Sequence, residues 1–397
     1  MSILGVEGFD NYGQPSDLFR RSGNLVWTGT PVLYQNSTYS VLNIQSPGRG
    51  GFGKCIAFNP TMATSGNNTE LLLGLNNPVQ QATVGFAICP PAPGLAASAT
   101  DQYNVYDMCV DFFDISFFQA NYGTTGIYHL RWSFNFIQGR IALYNYNQTT
   151  GVATQLGVAL NVLQPGVWSY IELQGSISQT NGTAAIRVNG RTLPSFPDLS
   201  GINSQTTTHP YMTGIAFTTT NTNTEYADFN SPVYTLLDDL YVTDNSSSSS
   251  ALPNNGFLGD IRCATQFPIA NGTTIEWTPL TETNWQEVSE TSFDGDTSFN
   301  YSNTVGATDV FPGNPLPEEN ALVLGLTVTV GVRMTDAGNR TLAPVVMLNG
   351  TIYQGTPQTV DVSYLFISST WALNPATGNP WTAQDVNGAQ FGYTIVS

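Results

Sequence analysis

Hydrophobic and polar residues alternate in short runs along almost the whole chain, and Gly, Pro and Asn bound most of these runs. Alternation with a period of two is typical of a β-strand with one buried face, whereas an amphipathic helix needs a period near 3.6. Two runs lead directly into Asn189-Gly190 and Asn349-Gly350, and each pair favours a hairpin because both residue types tolerate positive φ. The pattern predicts an all-β antiparallel sandwich or jelly roll. Predicted strands include 54–58, 82–89, 106–113, 128–136, 139–144 and 167–173.

One polar segment interrupts the alternation, where five serines follow Asn245. A serine run cannot bury apolar area, so nothing offsets the entropy of ordering it, and it predicts a flexible linker. We therefore expect a first domain at 1–245, a Ser/Asn-rich linker at 246–255 and a second, smaller β-sandwich domain at 256–397. The length of 397 residues allows each domain its own core.

The charge balance narrows the classes of partner. Charged residues make up only 10% of the chain, the formal net charge is −17, and Lys54 is the only lysine. So few cations cannot neutralise a phosphate backbone, which argues against nucleic acid and anionic membrane surfaces as partners. No window reaches the ~18 apolar residues of a membrane span, and the N-terminal segment lacks the pattern of a signal peptide.

The four cysteines do not form a C-x-x-C pair, and Cys55, Cys89 and Cys109 lie in apolar runs. Buried free thiols are the expected state, and a disulfide between two of these three stays open. A zinc site is not expected, because the chain has only two histidines and neither is near a cysteine.

The segment GVWSYIELQGSISQTNGTAAIRVNG, at 166–190, carries a Trp-x-x-hydrophobic-Glu strand and a hairpin that ends in Val-Asn-Gly. It resembles the concanavalin A-like, or laminin G-like, sandwich. The segments GVEGFD at 5–10 and LDDLYV at 237–242 are similar to the opening and closing strands of that family. The resemblance implies a concanavalin A-like jelly roll in which the first and last strands lie side by side.

A second resemblance covers most of 236–397. The segments NGFLGDIRCATQFP, WTPLTETNWQEVSE and NTVGATDVF, together with the last 27 residues, resemble structural proteins of tailed-bacteriophage virions. In those proteins a concanavalin A-like domain precedes a small β domain of this type. The resemblance implies a component of a virus particle.

Catalytic patterns are weak in this sequence. A retaining glycosidase needs two carboxyls about 5 Å apart, and the nearest approach is Asp107, Asp111 and Asp114, which we interpret as solvated acids on a strand. Glu172 is expected to face solvent between inward-facing neighbours. His129 is expected to be structural and His209 to lie in a surface loop. The sequence therefore predicts a protein that is not an enzyme.

Four acids and two tryptophans are candidate contact residues. Asp294 and Asp296 lie in one oxygen-rich loop and Asp238 and Asp239 lie near the junction, so each pair is a weak calcium candidate beside ordinary turn chemistry. No other cofactor is expected. Aromatic rings stack on sugars, so Trp371 and Trp381 are candidate contacts for a glycan or partner beside the commoner place of tryptophan in a core or interface, and we expect Trp381 to be the more exposed. These residues are Asp238, Asp239, Asp294, Asp296, Trp371 and Trp381.

Taken together, the sequence predicts a non-enzymatic structural protein on the surface of a tailed-phage virion, synthesised in the host cytoplasm. Its place is either a tail fibre or tip adhesin, or a capsid decoration. Expected partners are other virion proteins, further copies of the chain with a trimer favoured, and a host cell-surface glycan. The alternatives are a glycan-degrading enzyme on a concanavalin A-like fold and a free lectin.

Overall fold

A computed structural model describes most of the chain as short strands. The described residues are 3–22, 25–28, 42–58, 69–91, 107–114, 128–136, 138–147, 152–220, 234–245, 256–336 and 338–397. Within them the α-helices are α1 (Pro15–Leu18) and α2 (Ala383–Asn387), and single 3-10 turns occur at Arg49–Gly51 and Gln286–Val288. None of the described helices has the length and apolar character needed to cross a membrane.

Seventeen described strands precede residue 246, and each of the six strands predicted above corresponds to one of them, with differences only at the ends. In chain order they are β1 (Ile3–Glu7), β2 (Arg21–Ser22), β3 (Leu25–Thr28), β4 (Leu42–Gln45), β5 (Cys55–Phe58), β6 (Thr69–Val79), β7 (Gln81–Cys89), β8 (Asp107–Phe113), β9 (Tyr128–Asn135), β10 (Arg140–Asn147), β11 (Val152–Ala159), β12 (Ser169–Ser176), β13 (Gly182–Val188), β14 (Arg191–Thr192), β15 (Leu199–Ile202), β16 (Met212–Thr220) and β17 (Thr235–Thr243).

Two antiparallel sheets build the first sandwich. In the described residues, sheet 1 has the order β14-β13-β12-β7-β17-β5-β4, with β1 beside β17 and β15 beside β13, and sheet 2 has the order β11-β10-β9-β8-β16-β6-β3. The pairing of β1 with β17 confirms that the opening and closing strands are neighbours. The core lies between the sheets, where Phe86, Trp132 and Ile171 are fully buried.

The second sandwich is smaller and is built from β2, in the first part of the chain, together with the strands after residue 256. These are β18 (Thr278–Pro279), β19 (Asn300–Tyr301), β20 (Thr308–Pro312), β21 (Leu322–Val323), β22 (Leu326–Val332), β23 (Arg340–Leu348), β24 (Thr351–Gln354), β25 (Gln358–Val360), β26 (Leu365–Trp371), β27 (Trp381–Thr382) and β28 (Gln390–Ile395). Sheet 3 has the order β20-β28-β23-β24 with β25 beside β23, and sheet 4 has the order β2-β26-β22. The predicted fold class, a jelly-roll sandwich followed by a smaller β-sandwich, is confirmed.

Direct contacts join the two sandwiches. Strand β2 belongs to the first part of the chain, yet it pairs in parallel with β26, and the rings of Tyr12 and Phe366 meet edge to face at 5.6 Å. The Nζ atom of Lys54 donates to the carbonyl of Tyr12 at 2.9 Å and to the hydroxyl of Ser292 at 2.7 Å. The predicted linker at 246–255 lies outside the described residues, and the domain boundaries stay a prediction.

Candidate functional site

Glu172 is buried, so the expectation that it faces solvent is wrong. Its neighbours Ile171 and Leu173 do point into the core, and Glu172 points to the outer face of sheet 1, where it is only 1% exposed. The segment that begins at Gly256 crosses this face and covers it. The backbone N–H of Gly259 donates to Glu172 Oε1 at 2.8 Å, and the hydroxyl of Tyr241 donates to the same atom at 2.5 Å. Glu172 therefore fastens the start of the second part onto the first sandwich.

Asp238 and Asp239, the first pair of calcium candidates, are also buried on this face. Asp238 accepts the backbone N–H of Arg49 at 2.7 Å and that of Asp239 at 2.8 Å. Asp239 accepts the backbone N–H of Cys263 at 2.8 Å and a guanidinium N–H of Arg49 at 3.2 Å. Burial first, and then the charge of Asp239, raise the pKa of Asp238 to about 7. These contacts are between protein groups, and calcium binding at this pair stays a prediction.

Asp294 and Asp296, the second pair of calcium candidates, lie in the connection between the 3-10 turn Gln286–Val288 and β19. Asp296 accepts the hydroxyl of Tyr364 at 2.7 Å and the Nε–H of Arg333 at 2.9 Å, and these bonds lower its pKa. Asp294 accepts the hydroxyl of Ser298 at 2.9 Å, four residues later, which is ordinary turn chemistry. The described residues contain no group of three or more His, Cys, Asp or Glu side chains suited to hold a metal ion.

Trp381 is buried, so the expectation that it is exposed is wrong. It is 1% exposed, packs against Val346 and Val386, and donates from Nε1 to the carbonyl of Trp371 at 3.0 Å. The physical reason is that Trp381 opens β27, which pairs with β21, and α2 begins directly afterwards, so a loop position in the sequence is an ordered position in the fold. Trp371 is partly buried in the same cluster, and its role as a contact residue stays a prediction.

The four cysteines are free thiols at separate places in the described structure. Cys55, Cys89 and Cys109 are buried on β5, β7 and β8, as their apolar runs predicted, and Cys263 is partly buried in the segment that covers sheet 1. Burial raises the pKa of Cys55 to about 12 and also raises that of Cys89, so these two thiols are held in their unreactive protonated form.

Asp111 on β8 and Asp114 just after it are paired rather than solvated, which corrects the interpretation of these two acids. Asp111 is 5% exposed and accepts two N–H groups of Arg131, at 2.7 and 2.6 Å. Asp114 is fully buried and lies 2.7 Å from Nδ1 of His209. The side chain of Asp107 lies outside the described residues.

His129 has the structural role that the sequence predicted. It is fully buried, its Nε2 lies 3.0 Å from the carbonyl oxygen of Tyr211, and its Nδ1 accepts the backbone N–H of Thr206 at 3.1 Å. Burial lowers the pKa of His129 to about 4, so the ring is neutral near pH 7.

A row of polar side chains crosses the outer face of sheet 2. Asp111 lies opposite Arg131, Arg131 opposite Tyr144, and Tyr144 opposite Gln155. Directly opposed residues in an antiparallel sheet point to the same face. Val110, Trp132 and Leu143, which are next to Asp111, Arg131 and Tyr144 in sequence, are fully buried in the core, so these three members of the row point away from it. We call Asp111, Arg131, Tyr144 and Gln155 the polar row.

The polar row combines the chemical groups that recognise sugars. The guanidinium of Arg131 lies 4.0 Å from the centre of the Tyr128 ring, and the hydroxyl of Tyr144 donates to Gln155 Oε1 at 3.3 Å. Burial alone would lower the pKa of Arg131, but the charge and hydrogen bonds of Asp111 raise it overall, so the guanidinium stays charged. Side-chain amides and charged groups form hydrogen bonds with sugar hydroxyls, and aromatic rings stack on the apolar faces of sugar rings. Asp111 is the only carboxyl of the row.

Sequence reasoning missed the polar row because its members lie on four strands that are spread over 45 residues. Only the register of those strands aligns Arg131, Tyr144 and Gln155 in one row with Asp111. The available signal was local and partial: Asp111 and Arg131 each lie between two strongly apolar residues, whereas Tyr144 and Gln155 each have one polar neighbour.

Comparison with known proteins finds similarity among solved structures only. No protein-family model and no curated protein matches the chain. Among solved structures, lectin II from Ulex europaeus is similar at 8% identity and a TM-score of 0.33, over 60% of this chain and 97% of that one. The catalytic domain of the glycoside hydrolase family 131 protein from Coprinopsis cinerea is similar at 15% identity and a TM-score of 0.37, over 66% and 99%.

A third similar structure is the T. cruzi calreticulin globular domain, at 9% identity and a TM-score of 0.37, over 61% of this chain and 88% of that one. The legume lectins and the hydrolase have concanavalin A-like jelly-roll folds. Identities and TM-scores this low carry no inference about what this chain binds or does.

Proposed function

We propose that this chain is a non-enzymatic structural protein on the surface of a tailed-phage virion, and that its first sandwich binds a host cell-surface glycan. The observation that carries the glycan part is the polar row on the outer face of sheet 2, where an ion pair, a tyrosine and an amide are held in register. Such a row offers a saccharide several hydroxyl partners and a ring on a rigid sheet.

The particle role is supported by the phage-like segments between residues 255 and 397. The low charge content also suits repeated packing of copies on a particle, because few like charges approach each other. Direct contacts between the two sandwiches, such as those of Phe366 and Lys54, suit a protein that stands on a particle surface as one body.

The non-enzymatic part is supported by what the buried carboxyls do. Asp111 is held by Arg131, Glu172 by Tyr241 and Gly259, and Asp114 by His209. A glycosidase needs two carboxyls on either side of one bond, one of them able to donate a proton. Each of these three carboxyls is already bonded to protein groups, which leaves it poorly placed to exchange a proton with a glycosidic oxygen.

Binding to immobilised bacterial surface polysaccharides tests the glycan proposal. Tyr144→Ala and Gln155→Ala should each weaken binding about tenfold or more, because each removes a group that contacts hydroxyls or stacks on a sugar face. Arg131 is unsuitable for this test, since its removal would leave Asp111 buried and unpaired.

The matched control is Tyr301→Ala, because Tyr301 is 51% exposed on β19 of the second sandwich, away from the polar row. Equal losses in all three variants, or no loss in the two polar-row variants, would sink the proposal. Release of reducing ends from a polysaccharide, abolished by Asp111→Asn, would instead favour the glycan-degrading enzyme.

Mass spectrometry of purified particles tests the virion role. The chain should co-purify with intact virions, and its copy number separates the two locations: tens of copies indicate a tail fibre or tip adhesin, and hundreds indicate a capsid decoration. Binding to glycans together with absence from intact particles would mean a free lectin.

A further inference from the structure

Strand β22 forms an open edge of the second sandwich. It pairs with β26 in an unbroken register, in which Leu326 lies opposite Trp371 at one end and Val332 lies opposite Leu365 at the other. Sheet 4 ends at β22, and no other strand of the described chain pairs with its outer side. Seven residues of strand therefore present alternate backbone N–H and C=O groups along roughly 23 Å.

This edge lacks the features that usually protect a strand from pairing with another molecule. Natural edges are short, charged, interrupted by proline or bent by a bulge. The sequence of β22, LTVTVGV, has no charged residue and no proline. By contrast β24 has four residues, β20 contains Asp309 and Pro312, and the ladder of β11 with β10 is interrupted between Leu143 and Tyr144.

We propose that β22 pairs with β22 of a second copy of this chain, antiparallel, with the two-fold axis at Thr329. Thr329 then lies opposite its own copy, Val328 opposite Val330, and Thr327 opposite Gly331. The two three-stranded sheets become one continuous sheet across the dimer.

The side chains of β22 fit this register. Val328 is buried and Leu326 and Val330 are partly buried against the core of the second sandwich, whereas Thr327 points to the other face and bonds Thr370 at 2.9 Å. In the proposed pair, even-numbered residues lie opposite even-numbered residues and odd-numbered residues opposite odd-numbered ones. The apolar side chains on the core face therefore meet each other, and the two cores become continuous. Pairing would cover the partly exposed sides of Leu326 and Val330.

The charge of the molecule favours a second copy at this edge over other parts of the surface. Two copies with a net charge of −17 repel each other, and close approach is least costly where neither presents a charge. The uncharged strand offers such a place, and β-branched residues in opposed positions stabilise antiparallel pairs. This interface does not depend on glycan binding or on a virion role, and it has two-fold rather than three-fold symmetry.

Sedimentation equilibrium of the full chain tests the proposal, and the two-fold axis allows a rescue design. The wild type should be a dimer at micromolar concentration. Thr329→Lys and Thr329→Asp each place like charges opposite one another, and each should raise the dimer dissociation constant about tenfold or more. An equimolar mixture of the two variants should restore a dimer, because lysine then faces aspartate. The matched control Thr351→Lys, on the edge strand β24 of sheet 3, should leave the dimer unchanged.

A second measurement does not depend on whether the charged variants fold. Thr329→Cys changes the side chain very little, and the axis brings the two Cβ atoms to disulfide distance, so mild oxidation should yield a cross-linked dimer on a denaturing gel. Thr351→Cys should remain uncross-linked. A monomer, a trimer, or a Thr329→Cys chain that does not cross-link under these conditions would each overturn the proposal.

Discussion

Buried carboxylates in this chain hold loops in place by accepting backbone N–H groups. Asp309 is fully buried and accepts the N–H groups of Glu276 and Trp277, at 2.7 and 2.9 Å. Glu287 accepts the N–H groups of Thr281 and Phe299, at 2.5 and 3.2 Å. Such bonds satisfy backbone donors that have no strand partner, and they help to keep long irregular connections ordered.

Asp238 should make stability depend on pH. Its folded pKa is about 7 against an ordinary 3.8, so between these pH values the folded state keeps a proton that the unfolded state has lost. Stability contributed by this group is therefore present below pH 4 and is lost as the pH rises through 7. Urea unfolding measures the effect. As the pH rises across this range, the free energy of unfolding of the wild type should fall by roughly 2–4 kcal/mol relative to that of Asp238→Asn, because asparagine cannot titrate.

The control for this measurement is Asp336→Asn, since the side chain of Asp336 is 62% exposed and pairs with Arg340 at the surface. Its free energy of unfolding should stay close to that of the wild type, because a surface ion pair contributes little to stability. Parallel curves for wild type and Asp238→Asn would contradict the assignment.

The two Asn-Gly hairpins form as the sequence predicts, at the scale of single elements. Asn189 and Gly190 have φ values of 52° and 71°, and Asn349 and Gly350 have 50° and 79°. Both residues of each turn are left-handed, which matches the right-handed twist of the flanking strands. The second turn joins β23, a central strand of sheet 3, to β24.

Gly350→Ala should lower the free energy of unfolding by about 1–2 kcal/mol, because an alanine pays a steric cost in the left-handed region. A Cβ at this position would meet no atom within 4 Å, so backbone strain is the whole effect. Asn349→Gly is the matched control and should change stability by only a few tenths of a kcal/mol. Chemical denaturation measures both, and a Gly350→Ala chain as stable as wild type would refute the turn geometry.

At the scale of the whole molecule, the two sandwiches share part of one hydrophobic core. Phe366 lies on β26 of the second sandwich but belongs to the core cluster of the first, where it meets Tyr12 at 5.6 Å and Phe293 at 5.0 Å. Polar contacts at the same boundary come from Lys54, Glu172 and the parallel pair of β2 with β26. We therefore expect the two sandwiches to unfold together.

Phe366→Ala tests this coupling by calorimetry. The variant should lose about 3 kcal/mol or more of stability, because a buried ring is replaced by a cavity, and the loss should shift a single joint transition. Val362→Ala, at a position 54% exposed in the same part of the chain, should have almost no effect. Two separate transitions, with only one of them moved by Phe366→Ala, would be inconsistent with a shared core.

The sequence by itself determined the strands, the two hairpins, the inward positions of Ile171 and Leu173 and the all-β class, because alternation and Asn-Gly act over a few neighbouring residues. Only the tertiary structure decided the burial of Glu172 and Trp381 and the assembly of the polar row. The physical reason is that alternation tells which face of a strand a residue occupies. Whether a distant segment covers that face, and which residues lie opposite it, depends on register and packing between parts of the chain far apart in sequence.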